Sequence, residues 1–256
     1  MKAKKSLGQN FLIDNNIINK ISDNINAKSD DLIIEIGPGM GALTKKLKEK
    51  NSILICYEID KDMKIFLDKF EDDRTKIIYH DILKSNIKND IKNIKYNRLY
   101  IVGNLPYYIT TPIIKYLINE GLLIHEMIFM VQEEVADRFT SLPGNKEYGS
   151  ITLYLKYYYT LEKLFKVSKK CFNPIPNVES SIIKLSMRDN KLDVDEKKYF
   201  KLIDDSFRMK RKTLKNNLNN YDFKKITEIL EKHNLPITVR AEEISEEVYV
   251  EIANNV

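Results

Sequence analysis

The chain has 256 residues, enough for one large hydrophobic core with a smaller appendage, and its 43% hydrophobic and 31% charged content excludes an extended disordered chain. Lys and Arg outnumber Asp and Glu by 42 to 37, a net charge of +5 that favours a polyanionic partner only where the cations cluster. Cys56 and Cys171 lie far apart without a CxxC companion, and His80, His125 and His233 complete a poor ligand set, which argues against a disulfide framework and a structural zinc site.

The opening MKAKKSLGQN lacks the apolar stretch of a secretory signal, and no segment approaches bilayer length. A cytoplasmic protein without membrane contact is expected. Further on, short β-branched runs at 32–36, 53–59, 76–80, 99–102 and 127–131 each precede a segment with helical spacing. That alternation predicts an α/β domain with a mainly parallel, Rossmann-like sheet. After Gly149 the rhythm changes. ITLYLKYYYTLEKLF (151–165) and SSIIKLSM (180–187) read as two long strands joined by FNPIPN, the pattern of an edge hairpin. From Asp195 the strand signals stop, and helices are expected over about 196–217, 222–233 and 245–254. The predicted division is an α/β domain over 1–190 and a small helical domain over 191–256.

EIGPGMGALT (35–44) places Gly37, Gly39 and Gly41 between the first main strand and the first crossover helix, where glycines let backbone N–H groups approach a ligand. The spacing departs from G-x-G-x-x-G, and a plain tight turn uses the same residues. Glu58 ends the next strand, where a carboxylate accepts ribose hydroxyls of a nicotinamide or an adenosyl cofactor alike. Asp81, after the third strand, is placed to accept from the amino group of adenine. Each acid alone fits a solvated loop; three such features at successive strand ends favour an adenosine-containing cofactor.

GNLPYYITTP (103–112) follows the buried run 99–102. An amine on a nucleobase is a poor nucleophile because its lone pair is delocalised into the ring. The side-chain oxygen of Asn104 and the backbone oxygen of Leu105 are acceptors for its two N–H bonds, and Pro106 fixes the chain so that they converge. Tyr107 offers a stacking face, with Phe172 in FNPIPNVESS as the candidate opposite wall. Both rings also suit half-buried core positions, and Tyr108 and Tyr157 to Tyr159 read as packing. In FRMKRKTLKNNL (207–218), Arg208, Arg211, Lys212 and Lys215 share one face of a predicted helix. Such a face is either solvated surface or a phosphate-binding stripe; Lys2, Lys4, Lys5, Lys166, Lys169 and Lys170 strengthen the second reading.

In this order, LGQNFL (7–12), EIGPGMGALT, Glu58, Asp81, GNLPYYITTP, FNPIPNVESS and FRMKRKTLKNNL resemble the ribosomal RNA adenine dimethyltransferases over nearly the whole chain. The resemblance implies S-adenosylmethionine as cofactor, contacted by Asn10, Leu12, Gly37, Gly39, Glu58, Asp81 and Asn104. It implies a target adenine handled by Asn104, Leu105, Pro106, Tyr107 and Phe172. It further implies dimethylation of two adjacent adenines in small-subunit rRNA; the expected partner is that rRNA within a pre-30S particle, and a monomer is expected. The alternatives are the large-subunit, macrolide-resistance branch and a ribosome-assembly factor for which catalysis is dispensable. An NAD-linked oxidoreductase accounts for the glycine turn and leaves Asn104 to Tyr107 unexplained. Leu7 and Lys210 depart from the common pattern, Phe and Arg respectively; Lys210 lacks the bidentate fork of an arginine.

Overall fold

The computed structural model describes residues 3–4 and 7–256. Among the described residues nine strands are formed: β1 (Phe11–Leu12), β2 (Leu32–Ile36), β3 (Ile53–Tyr57), β4 (Thr75–Ile78), β5 (Leu99–Asn104), β6 (Ile124–Gln132), β7 (Tyr159–Val167), β8 (Phe172–Asn173) and β9 (Ser180–Met187). Seven of them make one sheet in the order β4-β3-β2-β5-β6-β9-β7. The pairs β2–β3, β3–β4, β2–β5 and β5–β6 are parallel, and β6–β9 is antiparallel. The predicted Rossmann-like sheet with an antiparallel edge is therefore present. The central strands are apolar because they are buried on both faces; every residue of β2 is buried, Glu35 included.

Strand order reverses between β2 and β5, since the chain runs outward through β3 and β4 and returns to β5 on the other side. In open α/β sheets that reversal leaves a crevice beyond the carboxyl ends of the strands. Its two walls begin at Ile36 and Gly103, which are register partners. A Cβ on Gly103 would lie 2.5 Å from the Ile36 carbonyl oxygen, a backbone atom that cannot swing aside. Gly103→Ala is expected to destabilise the protein by about 3 kcal/mol or more, at the upper end of overpacking costs, read as a lower urea midpoint with an unchanged slope.

The α-helices among the described residues are α1 (Asn15–Asp23), α2 (Ala42–Lys48), α3 (Lys64–Leu67), α4 (Ile87–Ile91), α5 (Thr110–Asn119), α6 (Glu133–Phe139), α7 (Ser150–Tyr158), α8 (Glu196–Ser206), α9 (Leu214–Asn217), α10 (Phe223–Lys232) and α11 (Glu246–Asn255). The chain divides into two compact units, Met1–Ala136 with Glu162–Ser186, and Asp137–Leu161 with Met187–Val256. The second unit thus joins residues 137–161, which the expected division assigned to the first domain, to the C-terminal residues from Met187 on. In the first, Ile33, Leu54, Tyr100, Val102, Ile128 and Ile182 belong to the buried cluster at the sheet. In the second, Leu153, Tyr157, Tyr199, Leu202, Leu230 and Tyr249 lie in a separate one.

Two expectations are corrected. The stretch ITLYLKYYY, read as the start of a strand, is helical over α7, and strand begins only at Tyr159. Thr152 Oγ1 accepts the Gly149 N–H at 3.2 Å and donates to the Arg138 carbonyl at 2.7 Å, which supplies a helix start that the aromatic, β-favouring composition conceals. Leu153 and Tyr157, four residues apart, then pack on one buried side.

The helix expected to run through 196–217 stops at Ser206 and resumes only at Leu214. Asn217 Nδ2 donates to the carbonyls of Ser206 (2.7 Å) and Met209 (3.3 Å), and Thr213 caps α9 through its side chain. A continuous helix would also set Arg208 beside Arg211 and Lys212, like charges at the spacing that destabilises helices. Arg208, Arg211, Lys212 and Lys215 consequently do not form one helical stripe. They lie on an exposed turn and on the first residues of α9.

Candidate active site

The crevice holds an open cleft of roughly 1300 Å³, the solvent space at its mouth included. Asn10, Leu12, Gly37, Gly39, Glu58, Asp81, Asn104, Leu105, Pro106 and Tyr107 all line it. The turn after β2 is held open by positive φ at Gly37, Gly39 and Gly41 (69°, 57° and 83°). At Gly41 a Cβ would collide with the Phe70 ring, so both conformation and space require glycine.

Glu58 follows β3 and is 4% exposed. Its two oxygens accept the N–H groups of Gly39 (3.0 Å) and Asp60 (2.8 Å). Burial pushes its carboxyl above the ordinary range against the pull of those two bonds. A carboxylate held this way, at the rim where an adenosyl or nicotinamide ribose would lie, is a strong acceptor for hydroxyls. Glu35, which the sequence reading passed over, also borders the cleft; burial raises it to about 7, and it accepts from Thr44 Oγ1 at 2.6 Å. Its signal was its place directly before the glycine turn. Asp81 caps the short turn at Ile82–Lys84, accepting the Leu83 N–H at 3.0 Å with one oxygen.

Asn104 ends β5. Its Nδ2 donates to the Asn10 carbonyl at 2.9 Å, which fixes the amide and leaves Oδ1 as the free acceptor end. Leu105 is buried, and its N–H donates to the Met130 carbonyl at 3.3 Å. The chain then turns through Pro106, whose carbonyl accepts the Ile109 N–H at 3.1 Å. Tyr107 is half-buried, and its hydroxyl is 2.7 Å from Ser180 Oγ, a contact that pins the ring from the far end of FNPIPNVESS. Tyr108, read as packing, is 63% exposed and borders the cleft.

Phe172 is placed otherwise. It is 1% exposed, belongs to the buried cluster of the first unit, and pairs through β8 with Leu12 of β1. With neither face open to the cleft it is a core aromatic, and the expected second stacking wall is not formed by this ring. The supporting cations also divide. Lys4 is paired with Asp60 (2.5 Å) and Asp62 (2.6 Å), and Lys166 with Glu133 (2.5 Å), whereas Lys170 is exposed. Lys2 and Lys5 lie outside the described residues. Among the described residues no group of acids, histidines and cysteines could hold a metal ion, and no helix is long and apolar enough to cross a membrane.

The donor set fits S-adenosylmethionine: a glycine turn presenting backbone N–H groups, a buried carboxylate beyond the neighbouring strand, a second acid beyond the strand after that, and apolar walls from Leu12 and Ile82. Glu58→Ala is expected to weaken its binding about 10-fold to 100-fold by calorimetry, the usual worth of hydrogen bonds to a charged group. Unchanged affinity would remove Glu58 from the cofactor site.

The family model for Ribosomal RNA adenine dimethylase matches residues 1–256. Among curated relatives, Ribosomal RNA small subunit methyltransferase A of Streptococcus sanguinis is 43% identical over 98% of this chain and 91% of its own length. The protein of the same name from Clostridioides difficile is 40% identical over 99% and 90%. Among solved structures, a dimethyladenosine transferase from Plasmodium falciparum superposes with a TM-score of 0.79 at 26% identity, covering 94% of this chain and 95% of that one. The 23S rRNA methyltransferase ErmE gives 0.76 at 22% identity over 96% and 98%, a likeness of fold alone. A full-length match to the family, carried by a chain whose glycine turn, acids and Asn-Leu-Pro-Tyr segment converge on one cleft, makes this protein a member of the ribosomal RNA adenine dimethylases.

Proposed function

We propose that the protein transfers methyl groups to the 6-amino nitrogen of two adjacent adenines in small-subunit rRNA, giving dimethyladenosines during ribosome biogenesis. The observation that carries this reading is the Asn104 amide, tied at Nδ2 to Asn10 and free at Oδ1, at the cofactor cleft. S-adenosylmethionine, held by Gly37, Gly39, Glu58 and Asp81, supplies an electrophilic methyl group when bound. Asn104 Oδ1 and the Leu105 carbonyl accept the two N–H bonds of the target amine and draw them out of the ring plane. The amine lone pair is thereby released from conjugation, and no base is needed before attack. Tyr107, pinned by Ser180, supplies a face for the flipped base.

The choice of the small subunit over the large rests on the names of the 40–43% identical relatives. The first unit is the catalytic one, and the exposed cations Arg208, Arg211, Lys212 and Lys215 of the second bind rRNA phosphates. The partner is a pre-30S particle, engaged by a monomer in the cytoplasm. The test is methyl incorporation into undermethylated small subunits and into large subunits, side by side. Label confined to the small subunit is expected; label in the large subunit alone would move the protein to the macrolide-resistance branch.

A further inference from the structure

Asp60 is a buried carboxylate, 2% exposed, that does not itself line the cleft. It sits between two parts of the site. On one side its N–H donates to Glu58 Oε1 at 2.8 Å. On the other its carboxylate holds the N-terminal segment: Oδ1 takes Lys4 Nζ at 2.5 Å and Oδ2 takes Gln9 Nε2 at 2.7 Å. The Lys4 N–H in turn donates to Gln9 Oε1 at 2.8 Å, so both ends of the Gln9 amide are committed. Burial pushes the Asp60 carboxyl up, and the bonds from Lys4 and Gln9 outweigh it and hold the group ionised below its ordinary range.

What this fastens is functional chain. Gly8 to Leu12 border the cleft, Leu12 pairs with Phe172, and the Asn10 carbonyl is the acceptor that orients the Asn104 amide. One residue beyond the fastened Gln9 stands the atom that decides which end of Asn104 meets the amine. We infer that Asp60 is a positioning residue for methyl transfer, fixing the segment around Gln9 so that the Asn10 carbonyl keeps Asn104 Oδ1 turned to the target amine. The inference rests on the reading of Asn104 given above. A purely structural role is also on hand, because Asp60 accepts the Asp62 N–H at 3.1 Å and caps the turn Lys61–Met63.

Asp60→Ser separates the two roles. Serine keeps a capping oxygen and loses the second acceptor and the charge that hold Gln9 and Lys4. Gln9→Glu is the converse variant, setting a carboxylate against Asp60 with the turn untouched. Both should melt near wild type. Both should speed amide hydrogen exchange in the peptide covering residues 7–12 of the cofactor-free protein, with exchange in β2 and β5 unchanged. In saturating S-adenosylmethionine kcat should fall by up to about 100-fold, as misplacement of an orienting group costs, with a smaller rise in cofactor Kd. Wild-type exchange over 7–12, or wild-type kcat in both variants, would overturn the inference. If wild type itself fails to bind S-adenosylmethionine, the cofactor reading is what fails, and the cofactor-free exchange still decides whether Asp60 fastens the segment.

Discussion

Replacing Asn104 with alanine should lower the rate of methyl transfer by about 100-fold to 1000-fold, the range seen when one preorganised polar partner of a transition state is removed. The size follows from the geometry. Asn104 is the last residue of β5, half-buried, and its side chain is tied by the 2.9 Å bond to the Asn10 carbonyl, so truncation leaves strand pairing and core intact. The target amine loses an acceptor that shifts its lone pair toward attack. Cofactor affinity should change less, since Glu58, Asp81 and the glycine turn remain. Single-turnover kinetics with saturating S-adenosylmethionine separates the two effects; turnover at the wild-type rate would remove Asn104 from the chemistry.

Reversing Arg208, Arg211 and Lys215 to glutamate should abolish methylation of small subunits while leaving S-adenosylmethionine affinity nearly unchanged. All three side chains are exposed, so the folding cost is small, and none borders the cofactor cleft. The loss is electrostatic: each phosphate contact contributes about 0.7 to 0.9 to the slope of log affinity against log salt, so the variant should bind RNA weakly and with a slope about two to three units shallower. With the helix interrupted at 207–213, these cations are presented by an exposed turn and the start of α9 rather than by one helical face. Normal modification by the variant would mark these charges as solvated surface.

The sheet could be read from the sequence because its strands are buried on both sides and appear as short β-branched runs; 32–36 coincides with β2, and 99–102 lies inside β5. The residues that line the cleft were legible for a related reason. Glycines and acids at strand ends are punctuation that no core requires, and Glu58, Asp81 and Asn104 do meet at the crevice. What escaped depends on tertiary partners. Nothing local shows that Thr152 will cap α7 onto the Arg138 carbonyl, or that Asn217 will hold the chain end of α8 from eleven residues away. Phe172 was misplaced because an aromatic beside a Pro-rich loop looks the same whether its ring faces a ligand or, as here, the core. Asp60 was invisible because Lys4 and Gln9, its partners, lie more than fifty positions earlier.

The most direct measurement is mass spectrometry of rRNA from undermethylated small subunits treated with the purified protein and S-adenosylmethionine. Two neighbouring adenines should each gain two methyl groups on the 6-amino nitrogen, and the Asn104→Ala protein should produce neither product in the same interval. Methyl groups on any other atom, or on large-subunit RNA only, would contradict the assignment of the cleft to adenine dimethylation in the small subunit.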